Sequence, residues 1–441
     1  MLGNERFELG QVAHVFPSVG LEDRIEFWKN VYSKYGRRQV VFHDRESVSL
    51  IYRVKSFSDD PESSWAEYRR QEDWSDAQLK EIALRLKELA ANLSLAKDSD
   101  DHEDLADAFK KAGIGLTPER LLRAADNVRA QRGIKEKFEA GVVRSGLYLA
   151  YIRQAFREEG VPEELAFLPH VESSFDYTAY SKVKAAGLWQ FMPSTGRTYK
   201  LRVDSLVDER FDPIAATHAA ARFLRDNHRA LGSWPLALMA YNHGRNGMLR
   251  AKAVYGLDYL AITSNHQSPA FGFASRNFYS EYLAALLISS NHGHYFGNAV
   301  QVAEPLRFET MRLSRPVSLS IVTRMDGLSE GVLRAYNPQL RPAVFKKGVV
   351  PTGTLRVPRG MTTTLAAVLH NAPAAREPKA VVAKMSSKKK TPNRAASRYR
   401  VRSGDTLASI ANKFRTTIAA VKRANGLRGS KVYIGQMLIL R

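Results

Sequence analysis

The sequence predicts a mainly α-helical protein that closes on a small mixed module. Three observations lead there. Residues 132–297 are rich in Ala, Leu and aromatic residues and carry repeated helix punctuation. Residues 61–130 are highly charged, with apolar residues at helical spacing. Two segments near the end resemble each other, and each finishes on Gly followed by an apolar strand.

Within an N-terminal helical region, 1–131, Asp23 starts a helix whose apolar positions are Ile25, Phe27, Trp28 and Val31. "DAQLKEIALRLKELAANLSL" puts Leu79, Ile82, Leu86 and Leu89 on one stripe, which is the pattern of a packing helix. Beyond 132, "GVPEEL" has Pro162 at a first helical position, with Glu163 and Glu164 suited to a positive helix start. "FDPIAATHAAARFLRDNHRALG" offers Asp212 as N-cap, Pro213 at the first position and Gly232 past the end. "SWPLALMAYNHG" repeats that logic with Ser233 and Gly244. Residues 132–297 therefore form a compact all-α domain.

Residues 372–397, rich in Pro, Ala, Ser and Lys without periodicity, read as a disordered basic linker. The repeated segments flank it, at 310–360 and 398–441. Leu319 and Asn337 in the first lie as far apart as Leu407 and Asn425 in the second. Each Asn follows an apolar residue four positions earlier, Leu333 and Val421, and the first copy lacks the Gly-Asp-Thr turn of the second.

The chain has 441 residues and a formal charge of +21, which favours an anionic partner: nucleic acid, an anionic membrane face or a cell-wall polymer. It has no cysteine, so disulfides and Cys-ligated zinc are excluded. No run approaches the length needed to cross a bilayer, and "MLGNERFELG" has neither a basic n-region nor an apolar h-region. On that basis the protein either stays inside the cell or had a leader that this chain lacks.

Chemistry concentrates in three blocks. In "LPHVESSF" a helix from Pro162 puts Leu165, Leu168 and Glu172 on one apolar face, with Glu172 near its C-terminal end and Pro169 able to kink it. Desolvation and a negative helix end would both hold the carboxyl protonated, ready to give a proton to a leaving group. The alternative is a buried glutamate paired to an arginine. "AAGLWQFMPSTG" sets Gln190 among Trp189, Phe191 and Met192, a suitable surface for a sugar, or an ordinary buried loop. "ALMAYNHG" adds the hydroxyl of Tyr241 and the amide of Asn242.

In this order the three blocks resemble the catalytic core of soluble-type lytic transglycosylases, most of all the membrane-bound D subgroup. The resemblance covers roughly 132–297 and, more weakly, "FPSVGLEDRIEFW". It implies a goose-lysozyme-like α domain. It also implies cleavage of the β-1,4 bond between N-acetylmuramic acid and N-acetylglucosamine in peptidoglycan, leaving 1,6-anhydromuramic ends. Glu172 would be the acid and then the base. Ser173 would orient it or the sugar, Gln190 and Met192 would line the groove, and Tyr241 and Asn242 would meet the N-acetyl group or the carboxyl. Two positions depart from the pattern: His243 stands where alanine is frequent, and Phe278 where tyrosine is. A single carboxyl suffices for such a reaction, because the substrate's own C6 hydroxyl replaces water. Asp176 is the only nearby candidate for a second acid.

The end of the chain, from Tyr399, resembles a LysM module through Gly-Asp-Thr-Leu, Ile-Ala, Asn and Gly-Gln-x-Leu. The resemblance implies a βααβ fold. N-acetylglucosamine would sit in the loops after the first strand and before the last: Gly404, Asp405, Thr406 and the stretch from Asn425 to Gly429. Asp405 and Thr406 also suit a turn and an N-cap. The 310–360 copy is LysM-like and degenerate. No cofactor and no metal are expected. The expected partner is peptidoglycan glycan, not nucleic acid, with the basic linker, through Lys388–Lys390, available to an anionic envelope surface. The substrate implies a periplasmic or envelope location. The other readings are a lysozyme-like muramidase and a non-catalytic peptidoglycan-binding scaffold.

Overall fold

The structure is a computed structural model that describes residues 6–98, 100–297, 300–376, 397–401, 406–414, 416–425, 427 and 436–440. It divides into two units, Met1–Val381 and Val382–Arg441.

In the first unit α1 (Glu22–Ser33) leads to strands β1 (Gln39–Asp44) and β2 (Ile51–Ser56). Then come α2 (Trp65–Ala91), α3 (Leu95–Asp98), α4 (Asp100–Lys111), α5 (Pro118–Asn127) and β3 (Val128–Arg132). The strands form an antiparallel sheet in the order β2-β1-β3. This sheet is an addition to the helical region expected over 1–131. Its central strand, "QVVFHD", is almost wholly buried, so the sequence shows little of the alternation that marks a half-buried strand.

The helices continue with α6 (Lys135–Ser145), α7 (Leu149–Glu158), a 3-10 helix at Glu163–Phe167, α8 (Pro169–Glu172), α9 (Pro193–Thr198), α10 (Pro213–Leu231) and α11 (Trp234–His243). After these come α12 (Arg245–Tyr255), α13 (Tyr259–Asn265), α14 (Phe273–Ser290) and α15 (His292–Phe296). The punctuation read in the sequence is present. Asp212 accepts from Ile214 N and Ala215 N, Ser233 accepts from Leu236 N, and Gly232 takes the left-handed conformation at the end of α10. Pro162 differs by one position: it is the residue before a 3-10 helix rather than inside an α-helix.

Two apolar cores divide residues 1–131. Phe16, Leu21, Ile25, Phe27, Trp28, Val31 and Val48 share one core with Phe138, Leu165, Trp189, Met239 and Leu283 of the α domain. Phe42, Ile82, Leu86, Leu89 and Phe109 form another. The early segment therefore belongs to the wall of the α domain and brings Tyr32 toward its centre.

After the α domain come β4 (Phe308–Leu313), β5 (Val317–Ser318), α16 (Leu319–Thr323), α17 (Glu330–Tyr336), α18 (Pro342–Lys347), β6 (Val349–Val350), β7 (Gly353–Pro358) and α19 (Thr362–His370). β4 pairs antiparallel with β7 around α16 and α17, giving a βααβ arrangement with α18 inserted. Leu365 and Leu369 join its core, so packing runs past residue 360 to α19. The second unit repeats the arrangement with β8 (Ser397–Arg400), α20 (Leu407–Lys413), α21 (Ile418–Ala424) and β9 (Met437–Leu440), β8 pairing antiparallel with β9.

The two copies share a joint. In the first, the Asn337 amide donates to Leu333 O at 3.0 Å and Arg356 O at 2.7 Å and accepts from Arg356 N at 2.7 Å. In the second, Asn425 donates to Val421 O and Ile439 O at 2.8 Å and accepts from Ile439 N at 2.7 Å. Both fasten the second helix to the last strand, which explains the spacing common to the two segments.

Candidate active site

Pro169 has no N–H to continue a helix, so the backbone around "LPHVESSF" breaks into two pieces, with Leu168 closing the 3-10 helix and opening α8. Leu165 and Leu168 are fully buried, as the apolar face required, and Glu172 is the last residue of α8. Ser174 and Phe175 follow in left-handed conformations, φ 52° and 56°. Strain of that kind persists where the surroundings over-determine it. Here Arg144 donates to Ser174 O at 2.7 Å, and Gly141 on α6 lets that carbonyl in, since a Cβ there would lie 2.8 Å from it.

The Glu172 carboxyl has neither a hydrogen bond nor an ion pair among the described residues, so no arginine neutralises it. Burial, then the nearby Glu281 carboxyl, push its pKa up to about 8. The helix-end cause expected from the sequence has little force in a four-residue helix. Glu281, on α14, is a second carboxyl at the site. Burial lifts it to about 8 as well, with the Arg129 guanidinium opposing. Arg129 itself lies over the Phe273 ring, two turns back along α14, at 4.0 Å. Tyr32 feels both carboxyls and Tyr241 feels Glu172, each phenol being pushed well above its usual value chiefly by burial. Sequence reading missed Glu281. Its only local signal is a lone acid inside the apolar run "FYSEYLAALL" of a helix that packs on α8.

The loop that carries Gln190 is held by its carbonyls. Ser173 Oγ donates to Leu188 O at 2.9 Å, Tyr241 Oη to Trp189 O at 2.8 Å, and Arg210 Nη1 to Phe191 O at 2.9 Å. Gly187 (φ 77°) is obligatory, because a Cβ would lie 1.8 Å from Arg210 O. Gln190 itself is left-handed at φ 47°, and its amide donates to Gly187 O at 2.8 Å. Its carboxamide oxygen has no partner among the described residues.

The structure gives several of the expected site residues partners of their own. Ser173 is 4% exposed and its hydroxyl donates to Leu188 O, which holds the backbone of the loop. Tyr241 likewise gives its proton to Trp189 O. Asn242 is exposed and accepts from Ser275 Oγ at 2.9 Å, which ties α11 to α14. Met192 is 40% exposed at the start of α9, free to meet a ligand. Asp176 holds its own turn, accepting from Thr178 N and Oγ1 at 2.8 and 2.6 Å. His243 packs edge-on to Phe271, Phe278 is buried, and Tyr279 points away to Pro17 O. In the second unit Thr406 caps α20 through Ser409 N. The amide of Asn425 is engaged by Val421 O of α21 and by the Ile439 backbone of β9. Gly404, Asp405, Gly429 and the Lys388–Lys390 run lie outside the described residues. Among the described residues no group of three or more His, Asp or Glu is arranged to hold a metal.

The Transglycosylase SLT domain family matches residues 150–256, the segment that contains Glu172, Gln190 and Tyr241. The LysM domain family matches 399–441. Membrane-bound lytic murein transglycosylase D of Escherichia coli K12 is 30% identical over 359 residues, covering 80% of this chain and 77% of its own. This chain belongs to the lytic murein transglycosylase D family. Within a D-family chain the mainly helical fold and the terminal LysM module are as the sequence predicted. "Probable peptidoglycan endopeptidase LytE" of Bacillus subtilis is 45% identical over 42 residues, 10% of this D-family chain and 13% of its own. An inactive mutant of lytic transglycosylase Slt from Pseudomonas aeruginosa overlays at a TM-score of 0.29 and 16% identity, covering 48% of this chain and 30% of that one.

Proposed function

We propose that this protein is a lytic transglycosylase acting on peptidoglycan, with Glu172 as its acid and then its base. The observation that carries the reading is the Glu172 carboxyl: half-buried, without a partner among the described residues, and pushed by desolvation up to about 8, so that it is largely protonated at neutral pH. Such a group can donate. Its proton passes to the glycosidic oxygen as the bond from C1 of N-acetylmuramic acid to that oxygen breaks. The N-acetyl oxygen of the same sugar shares the positive charge at C1. The carboxylate left behind takes the proton of the C6 hydroxyl, whose oxygen bonds to C1 and closes the 1,6-anhydro ring. One proton goes out and one returns, so no water is consumed.

Glu281 favours the alternative, hydrolysis, only if it can activate water. A base must be ionised, and burial keeps Glu281 largely protonated at neutral pH. An intramolecular hydroxyl also enjoys an effective molarity of up to ~10⁵ M or more when well oriented, far above bulk water. Gln190 and Met192 would line the groove, and Ser173 and Tyr241 would fix its floor. We place the protein in the periplasm or cell envelope, where peptidoglycan is. Among the described residues no helix is long and apolar enough to cross a membrane. The test is mass spectrometry of products from purified sacculi. Anhydro ends, lighter than reducing ends by one water, are expected; mainly reducing ends would replace this reading with the muramidase one.

A further inference from the structure

The degenerate module of residues 308–370 has its last loop occupied by the chain itself. Between Asn337 and β7, the segment that the LysM resemblance gives to glycan, Gln339 O accepts from Asp208 N at 2.9 Å, and Arg341 N donates to Leu206 O at 2.9 Å. Leu340 and Val207 form an isolated β-bridge, and Thr352 O accepts from Arg202 Nη1 at 2.8 Å. Leu206 and Val207 are buried in the module's own core. The clasp residue here reaches a partner 19 positions on, against 14 in the terminal copy, and Gln339, Leu340 and Arg341 lie within that longer stretch.

From this contact a line of charge runs to the active-site loop. Arg341 Nη1 meets Asp208 Oδ2 at 2.8 Å. Asp208, fully buried, takes Arg210 Nε on Oδ1 at 2.9 Å and Arg210 Nη2 on Oδ2 at 2.8 Å. The remaining Arg210 nitrogen, Nη1, holds Phe191 O at 2.9 Å and Lys184 O at 2.7 Å, the two ends of the loop that carries Gln190. A second arm runs from Arg356 of β7 to Asp212 Oδ2 at 2.7 Å, while Asp212 Oδ1 caps α10. The Arg210 fork can hold both carbonyls only while Asp208 fixes its plane, and Arg341 is the outside cation that fixes Asp208.

We propose that this module serves as a brace for the active-site loop in place of a glycan reader, and that Arg341 is its positioning residue. The inference rests on the proposed site only in that the loop presents Gln190 to the sugar. Residues that orient a substrate act on the rate once it is bound, because small misplacements are amplified at the reacting atoms.

The test uses the full chain, a short soluble glycan strand, and Arg341→Met, which keeps the aliphatic stem of a half-exposed side chain and removes the cation. The expected result is a kcat lower by about three- to tenfold with KM within about twofold. Arg341→Lys should recover most of the loss. In a Gln190→Ala background the same change should cost nothing further, since coupled positions are not additive. Wild-type kcat in Arg341→Met, no recovery in Arg341→Lys, or an equal loss with and without the Gln190 amide would overturn the brace. If Gln190→Ala alone keeps wild-type kcat, the groove assignment of Gln190 is what fails, and the brace is then decided by the Lys recovery.

Discussion

Tyr241 gives its hydroxyl proton to the carbonyl of Trp189, 2.8 Å away and one residue before Gln190. The catalytic-domain tyrosine thus acts on the shape of the loop. Tyr241→Phe should leave that carbonyl unpaired in a buried setting, at a cost of about 1–3 kcal/mol. The melting temperature should fall and kcat should drop, with the chemistry of the products unchanged. Unaltered stability and kcat would show the bond to be idle.

Glu172→Gln keeps the shape of the side chain and removes its acidic proton. Turnover of sacculi should fall by at least the roughly 10²–10⁴-fold that general acid–base catalysis contributes. Release of soluble muropeptides measures it, and circular dichroism checks that the fold is retained. Activity within a few-fold of wild type would remove Glu172 from its role.

The Glu172 carboxyl titrates at about 8, so kcat/KM should hold through neutral pH and fall above it as the acid is lost. Glu281 raises that value by its proximity. Glu281→Gln removes the like charge, and the basic limb of the profile should move toward acid. Stability has its own sign. Both carboxyls bind protons more tightly folded than unfolded, so their contribution is complete below the unfolded value of about 4.3 and is lost as pH rises toward 8. Glu281→Gln should therefore flatten the loss of melting temperature between these limits. An unmoved basic limb would mean that the two groups do not communicate.

Removing residues 398–441 deletes the family-matched LysM module from the second unit. Retention on sacculi should weaken by about 10²-fold or more if linkage raises the local concentration of the catalytic groove, while cleavage of short soluble strands stays near wild type. Pelleting assays and soluble-substrate kinetics separate the two. Loss of activity on short strands would make the module part of the catalytic unit.

Asn337→Ala removes four hydrogen bonds from a fully buried amide, one of them accepted from Gln339 Nε2, and strands Arg356 N–H. Each buried group left unpaired costs about 1–3 kcal/mol, so the first unit should melt at clearly lower temperature. Asn425→Ala should leave that transition in place, because its clasp lies in the other unit. Calorimetry distinguishes the two.

Local signals were legible in the sequence because they act over a few residues. Asp212, Pro213 and Gly232 bound α10 as read, and Ser233 and Gly244 bound α11. Glu172 on an apolar face was legible too, although Pro169 divides the helix expected there. The relationships that sequence left hidden span long separations. Glu281 sits 109 residues after Glu172, and Arg341 lies 133 residues after Asp208. No pattern along the chain announces either meeting. Asn425 shows a different limit. A polar residue at a repeated spacing reads equally as a binding group or as a strut, and only the positions of Val421 O and Ile439 decide for the strut.

The clasps at Asn337 and Asn425 are the same joint in two settings, and the two copies differ in how separable they are. The copy at 308–370 shares its core with Leu206 and Val207 of the neighbouring domain. The terminal copy has a core of its own. A chain shortened before residue 398 would keep the inner copy's core whole, whereas loss of 308–370 would uncover Leu206 and Val207 of the catalytic part.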